Sequence, residues 1–221
     1  MYQGVKTWNP LAGECPHRCI YCSTKKFMRY PQFKEKYTGK LRLWETAFKP
    51  LGKGKTIFVC AQNDLFATGI PYLFINKIFA HCLKYSENTY MIQTKNVRNL
   101  SEWYHNTYLK LSNNFIFGTT IENNYFDKYT GGNIQYHRAQ YLSEIDHKRF
   151  ITIEPIMKFN LAKMVEICKI AQPFKVYIGA DSGKNNLPEP SSKEIIQLMT
   201  ALKNQVQCEV EIKSNLQRLL K

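Results

Sequence analysis

The sequence lacks the segments that would insert the protein into a membrane or export it. No apolar run approaches the ~18 residues that cross a bilayer as a helix. The N-terminal stretch MYQGVKTWNP has no apolar core of a signal peptide. The length of 221 residues suffices for one domain with a sizeable core and is short for two enzymatic domains. We therefore expect a single cytoplasmic domain over residues 1–221, without membrane contact.

The sequence also lacks the even set of cysteines that a disulfide framework needs. It has seven cysteines and no secretion signal, which favours reduced thiols. Four are scattered along the chain and are interpreted as small buried hydrophobic residues: Cys60, Cys82, Cys168 and Cys208. The other three, Cys15, Cys19 and Cys22, lie within eight residues. This spacing favours metal binding over disulfides.

Acidic residues are scarce, at 17 Asp and Glu against 31 Lys and Arg, for a net charge of +14. The imbalance is concentrated between residues 25 and 55, where the sequence has ten basic and two acidic residues. Six aromatic residues are interleaved with these cations, a composition that suits a phosphate backbone with stackable bases. Nucleic acid is therefore a candidate partner, and a solvated loop is the alternative.

Short β-rich runs alternate with segments of helical apolar spacing beyond Gly54. The runs cover 55–60, 89–94, 115–121, 149–156, 175–180 and 209–213, and VKTWN at 5–9 adds a short first strand. Nearly continuous apolar runs are typical of parallel sheets, and the alternation indicates successive βα units. Six or seven strands are fewer than the eight of a closed TIM barrel. We predict an α/β fold with an incomplete, open parallel βα barrel, and a doubly wound sheet is the alternative. An irregular excursion is expected at 24–54.

Polar residues follow the predicted strands at their carboxyl ends, where βα folds place their chemistry. The candidate site residues at these positions are Asn63, Asp64, Lys95, Thr119, Thr120, Glu122, Glu154 and Gly179. The three clustered cysteines follow the first predicted strand, so we expect them at the same end of the sheet.

Cys15, Cys19 and Cys22 form the pattern C-x3-C-x2-C. A structural zinc site needs four ligands, and His17, the nearby candidate, lies between two cysteines where its imidazole would have difficulty reaching the same ion. Three thiolates can hold three irons of a [4Fe–4S] cluster and leave the fourth iron open for a ligand. The pattern therefore favours an iron–sulfur site, and a zinc-binding module is the alternative.

This spacing, with Tyr21 directly before the third cysteine, resembles the signature of the radical SAM superfamily. The ordered motifs TWNPLAGECPHRCIYC, IFVCAQNDLF, MIQTKN, FGTTIEN, RFITIEPI and YIGADSG resemble those of the phage Gp37/Gp68-like family, a relative of spore photoproduct lyase. The resemblance implies a [4Fe–4S] cluster on the three cysteines that binds S-adenosylmethionine (SAM). The implied enzyme, a lyase or modifying enzyme, cleaves SAM reductively to a 5′-deoxyadenosyl radical that abstracts hydrogen from a substrate.

The resemblance also implies roles for residues after the second and third predicted strands. Many members receive the SAM amino group with a Gly-Gly-Glu type motif, whereas this sequence has QNDLF. Asp64, with Asn63, is expected to replace that motif, because a carboxylate pairs with an ammonium group. Lys95 is expected to neutralise the SAM carboxylate. The alternatives are a helix cap for Asp64 and simple exposure for Lys95.

Candidate residues on the later strands have similar pairs of interpretations. Thr119, Thr120 and Glu122 fall where the superfamily supplies ribose contacts, or they form an ordinary turn. Glu154 interrupts the apolar run FITIEPI, and a carboxylate in a buried strand needs a partner. It is predicted to face inward in the cofactor site, and a structural salt bridge is the alternative. Gly179 would let the backbone approach the adenine closely.

We therefore predict that the protein is a radical SAM enzyme. It would receive electrons from an external one-electron reductant of the flavodoxin or ferredoxin type. The basic aromatic segment and the lyase resemblance favour a nucleic acid or nucleotide as substrate. A peptide or small metabolite is the alternative substrate. The alternative of a different class is a non-catalytic iron–sulfur or zinc protein that binds nucleic acid.

Overall fold

The computed structural model describes residues 2–125 and 134–221. Its strands are β1 (Lys6–Trp8), β2 (Leu11–Ala12), β3 (Arg42–Leu43), β4 (Thr56–Val59), β5 (Thr89–Thr94), β6 (Phe115–Thr120), β7 (Lys148–Ile153), β8 (Lys175–Ile178) and β9 (Glu209–Ile212). Seven of them form one parallel sheet in the order β1-β4-β5-β6-β7-β8-β9. This order never reverses, so the sheet lacks the switch point of a doubly wound fold. The sheet curls into an open half-barrel, which confirms the predicted partial TIM barrel.

The helices connect successive strands of the main sheet. They are α1 (Thr24–Phe27), α2 (Pro31–Tyr37), α3 (Tyr72–Leu83), α4 (Val97–Asn106), α5 (Gln135–Ser143), α6 (Leu161–Ala171) and α7 (Ser192–Ala201). Local caps define several starts: the Asn160 side chain accepts from the third residue of α6, and Ser191 and Glu194 form a capping box on α7. Among the described residues, no helix is long and apolar enough to span a membrane.

The two faces of the main sheet have different environments, because alternate residues of a strand point to opposite sides. Ile57 and Phe117 belong to the large core that the sheet shares with the helices. On the opposite, concave face lies a smaller apolar group that includes Tyr2, Met91 and Phe150. The chain ahead of β1 therefore packs inside the half-barrel, while the carboxyl ends of the strands carry the polar residues.

Residues 24–54, predicted to be irregular, contain α1, α2 and β3 and fold back over the chain that leads to the cysteines. β3 pairs antiparallel with β2, and the Gly13 N–H donates to the Lys36 carbonyl oxygen at 2.8 Å. Gly13 has a φ of +96°, and a Cβ there would overlap the Lys40 carbonyl oxygen. Glycine is therefore required at this close approach.

Candidate functional site

The three clustered cysteines lie between β2 and α1, in residues 13–23, hereafter the cysteine loop. Cys19 is buried, Cys15 and Cys22 are partly exposed, and none forms a disulfide. The Cys22 N–H donates to the Cys19 carbonyl oxygen at 3.2 Å. Burial, with a smaller contribution from Asp64, raises the pKa of the Cys15 thiol to about 12. Metal binding at this loop must therefore be coupled to loss of the thiol proton.

Asp64, in the loop after β4, contacts the cysteine loop through His17. His17 Nε2 lies 2.8 Å from Asp64 Oδ2, and the Lys95 N–H donates to the same oxygen at 2.7 Å. The Thr94 hydroxyl and the Phe66 N–H donate to Oδ1 at 2.6 and 3.0 Å. Burial alone would raise the pKa of Asp64, but His17 and the hydrogen bonds hold it below its ordinary value. Asp64 is therefore an ionised carboxylate with a partner on both oxygens.

Glu122, just after β6, is fully buried and contacts the cysteine loop through Tyr21. The Tyr21 and Thr120 hydroxyls donate to Oε1 at 2.7 and 2.8 Å. Lys95 forms an ion pair with Oε1, and Arg138 Nη1 lies 3.0 Å from Oε2. Burial alone would raise the pKa of Glu122, but the two cations hold it well below its usual range. The buried charge is thus compensated within the protein.

The other predicted residues of β5 and β6 divide between this network and the sheet. Lys95 Nζ donates to the Tyr21 hydroxyl at 3.1 Å and to the Thr120 hydroxyl at 2.5 Å. The Thr119 hydroxyl donates instead to the Thr94 carbonyl oxygen at 2.7 Å. The structure therefore brings Lys95 and Thr120 together with Glu122, and it directs the Thr119 side chain elsewhere.

Asn63 contacts the beginning of the cysteine loop. Its Nδ2 donates to the Gly13 carbonyl oxygen at 3.2 Å and to the Leu11 carbonyl oxygen at 3.5 Å. Its Oδ1 is buried and has no hydrogen-bond partner among the described residues. An unpaired buried carbonyl oxygen is costly unless a ligand or water donates to it. Asn63 therefore offers an acceptor beside the cysteine loop.

Glu154 and Gly179 belong to a second polar group, at the carboxyl ends of β7, β8 and β9. Lys213 Nζ donates to Glu154 Oε2 at 2.6 Å, and Asn215 Nδ2 donates to Oε1 at 2.7 Å. A Cβ at Gly179 would lie 2.8 Å from Glu154 Cδ, so this carboxylate packs directly on the glycine backbone. Asn215 Oδ1 is buried without a hydrogen-bond partner among the described residues. The ion pair predicted as the alternative role of Glu154 is present.

The donor set of the cysteine loop suits an iron–sulfur cluster in number and type. Three thiols come from one short loop, and no disulfide occupies them. Within residues 2–125 and 134–221, no group of three or more His, Cys, Asp or Glu side chains is arranged to hold a metal ion. A [4Fe–4S] cluster takes each thiolate on a different iron, so the three thiols need not surround one ion.

Arg138 is a site residue that sequence reasoning missed. It lies on α5, where apolar spacing predicts an amphipathic helix, yet its side chain is 1% exposed and pairs with Glu122. The available signal was its position on the face that also carries the buried residues Ala139 and Leu142. A cation on the apolar face of a helix needs a buried anion.

Comparisons with known proteins give a family and a set of similar folds. Residues 4–205 match a family described as "Protein of unknown function (DUF5131)", and no curated protein matches the chain. One similar structure is a spore photoproduct lyase mutant with bound AdoMet and dinucleoside spore photoproduct: TM-score 0.63, 10% identity, covering 93% of this chain and 75% of the lyase. Another is Streptococcus suis SuiB bound to S-adenosylmethionine: TM-score 0.52, 13% identity, covering 94% of this chain and 46% of SuiB. At these identities the likeness is one of fold.

Proposed function

The chain belongs to the DUF5131 family, and because that description assigns no reaction, we propose from the site that the protein is a radical SAM enzyme. The observation that carries the proposal is the C-x3-C-x2-C loop at the carboxyl end of an open parallel half-barrel, a fold similar to that of proteins with bound AdoMet. Cys15, Cys19 and Cys22 would hold a [4Fe–4S] cluster. A reduced cluster held there would supply the electron for cleavage of SAM to methionine and a 5′-deoxyadenosyl radical able to abstract hydrogen from a substrate.

The chain's own residues would bind and orient SAM beside the cysteine loop. Asn63 Oδ1, buried and without a hydrogen-bond partner among the described residues, is the acceptor best suited to the SAM ammonium group. Asp64 already accepts from protein donors on both oxygens, so its contribution is to hold the loop. Glu154, packed against the Gly179 backbone, offers a carboxylate for the nucleoside part. An external one-electron reductant completes the system.

A nucleic acid is the substrate class that the surface beside the cysteine loop supports best. On α1 and α2 the Phe27 and Phe33 rings stack at 5.2 Å between centroids, and the Arg29 guanidinium lies 4.9 Å from the centre of the Tyr30 ring. Exposed aromatic rings with cations bind single-stranded bases by stacking and phosphates by charge. The bound dinucleoside of the similar lyase structure supports the same class. A phage association and relationship to the Gp37/Gp68-like family form part of this proposal.

The proposal is tested by anaerobic reconstitution with iron and sulfide, followed by dithionite and SAM. We expect 5′-deoxyadenosine from the wild-type protein. Cys19→Ala should lose both the iron–sulfur absorbance and SAM cleavage, because it removes one of three ligands. Cys208→Ala, a change at a buried cysteine outside the loop, should retain both. A wild-type protein that binds a cluster and never cleaves SAM would support a non-catalytic iron–sulfur protein.

Salt dependence tests the substrate class. Affinity for single-stranded DNA or RNA should fall with salt, and replacing Lys25, Lys26 and Arg29 by Ala should reduce the log–log slope by about 2, at ~0.7 per phosphate contact. The control variant replaces the exposed residues Lys148, Lys169 and Lys203 and should bind as the wild type does. Equal slopes in both triple variants would favour a peptide or small metabolite as substrate.

A further inference from the structure

We propose that Asn63, Asp64 and Glu122 are positioning residues that hold the cysteine loop in place for metal binding. These three anchor side chains contact the loop at Gly13, His17 and Tyr21 respectively. The inference rests on the proposed iron–sulfur function, and it assigns Asp64 and Glu122 to the protein loop where the sequence predicted contacts with SAM.

The positions of the contacts along the loop are regular. The held residues are 13, 17 and 21, and the cysteines are 15, 19 and 22. Cys15 and Cys19 therefore each lie between two held residues, and Cys22 directly follows the last one. Each contact restricts the backbone within two residues of a thiol, which reduces the conformational entropy that metal binding must otherwise remove.

The two carboxylate anchors, Asp64 and Glu122, are themselves held by residues at the ends of the strands. Lys95 links the two. The Lys95 N–H donates to Asp64, while Lys95 Nζ forms an ion pair with Glu122. Arg138, 1% exposed, holds the other oxygen of Glu122. Asp64 and Glu122 therefore belong to one connected network beside the cysteine loop, and movement of Lys95 would disturb both.

The carboxylate oxygens of Asp64 and Glu122 already accept hydrogen bonds from protein donors, so their first role is to bind the protein and not a ligand. Asp64 accepts two donors on each oxygen. Glu122 Oε1 accepts from Tyr21, Thr120 and Lys95, and Oε2 accepts from Arg138. A ligand bound by either oxygen of Asp64, or by Oε1 of Glu122, would have to displace a charge-assisted hydrogen bond, which is among the stronger kinds in proteins.

Thiol alkylation of the metal-free protein tests the proposal without reference to a cluster. Tyr21→Phe removes one anchor contact, and we expect native-state alkylation of Cys19, followed by mass spectrometry, to accelerate about tenfold, the factor for one hydrogen bond to a charged group. Tyr104→Phe removes a similar hydroxyl, on α4 and 2.8 Å from His147 Nδ1, and should leave the rate unchanged. Equal rates in wild type and Tyr21→Phe would overturn the proposal.

A second pair of variants separates the contact from the packing of the side chain. His17→Gln keeps a donor that can reach Asp64, and His17→Ala does not. We expect the wild-type alkylation rate in the first and a rate about tenfold higher in the second, with circular dichroism confirming that both are folded. Acceleration of equal size in both variants would contradict the anchor role of Asp64.

The same variants connect the anchors to metal binding. In reconstituted protein, chelator should remove iron from Tyr21→Phe about tenfold faster than from wild type, and the reduced EPR spectrum should broaden. Identical iron release and spectra would overturn the positioning role. Failure of the wild-type protein to take up iron would count against the proposed function alone, because the alkylation result is obtained without metal.

Discussion

Two groups of polar residues at the carboxyl ends of the strands differ in how completely they are used by the protein. The near group, Asp64, Lys95 and Glu122, is tied to the cysteine loop, and the Glu122 side chain is fully buried. The far group, Glu154, Lys213 and Asn215, leaves the Glu154 side chain 24% exposed and the Asn215 amide oxygen unpaired among the described residues. The near group therefore stabilises the structure around the cysteine loop, while the polar side chains of the far group remain available to a ligand.

The far group also touches the interior of the half-barrel. Lys213 Nζ lies 3.9 Å from the centre of the Tyr2 ring, and the Tyr2 hydroxyl lies 2.6 Å from the Thr152 hydroxyl. Burial raises the pKa of Tyr2 well above its usual range, so this phenol stays neutral. A ligand at the far group would therefore meet a neutral ring beside the Lys213–Glu154 ion pair.

The largest predicted effect on stability comes from removing the charge of Glu122 in the near group. Glu122→Gln leaves Lys95 and Arg138 without a counter-charge, and we expect a loss of about 3–5 kcal/mol in the free energy of unfolding at pH 7. Glu154→Gln, the matched change in the more exposed far group, should cost about 1 kcal/mol. Urea unfolding of both variants measures the difference. Equal losses would contradict the distinction between the two groups.

Acid should remove the same contribution of Glu122. Its folded pKa lies below the unfolded value of 4.5, so its stabilisation is complete above about pH 4.5 and decreases as the pH falls toward the folded value. The stability gap between wild type and Glu122→Gln should therefore narrow below about pH 4.5. Urea titrations between neutral and acid pH test this. A stability gap that stays constant with pH would show that the ion pairs of Glu122 do not lower its pKa in the folded protein.

A smaller effect is expected from altering the far group. Gly179→Ala places a Cβ against the Glu154 carboxylate, which Lys213 and Asn215 prevent from moving freely. We expect about tenfold weaker SAM binding by calorimetry, equivalent to ~1.4 kcal/mol, with the near group and the cysteine loop unaffected. Wild-type affinity in both Gly179→Ala and Glu154→Gln would exclude the far group from the SAM site.

The sequence predicts the fold well because its signals are local. Apolar runs locate the strands to within a few residues, and β5 occupies the predicted residues 89–94. Helix ends are less well predicted: the segment 97–112 has helical apolar spacing, but α4 ends at Asn106, after which Thr107 takes an extended conformation. The excursion at 24–54 contains a strand, β3, because this segment pairs with β2, a contact that spacing within the segment does not reveal.

The site is less predictable because its contacts join distant parts of the chain. Asp64, Lys95 and Glu122 were expected at the carboxyl ends of the strands, and the structure places them there. Their partners were not foreseen: Tyr21 is 101 residues from Glu122, and His17 is 47 residues from Asp64. Short-range patterns identify which residues carry charge, but only the fold shows which charges neutralise one another.

EPR of the anaerobically reconstituted, dithionite-reduced protein, with and without SAM, tests the central claim most directly. The account predicts the signal of a reduced [4Fe–4S] cluster in the wild-type protein, a change of its g values when SAM is added, and no signal in Cys19→Ala. A cluster whose spectrum is the same with and without SAM, or one that survives in Cys19→Ala, would contradict the claim that three cysteines leave an iron open for SAM.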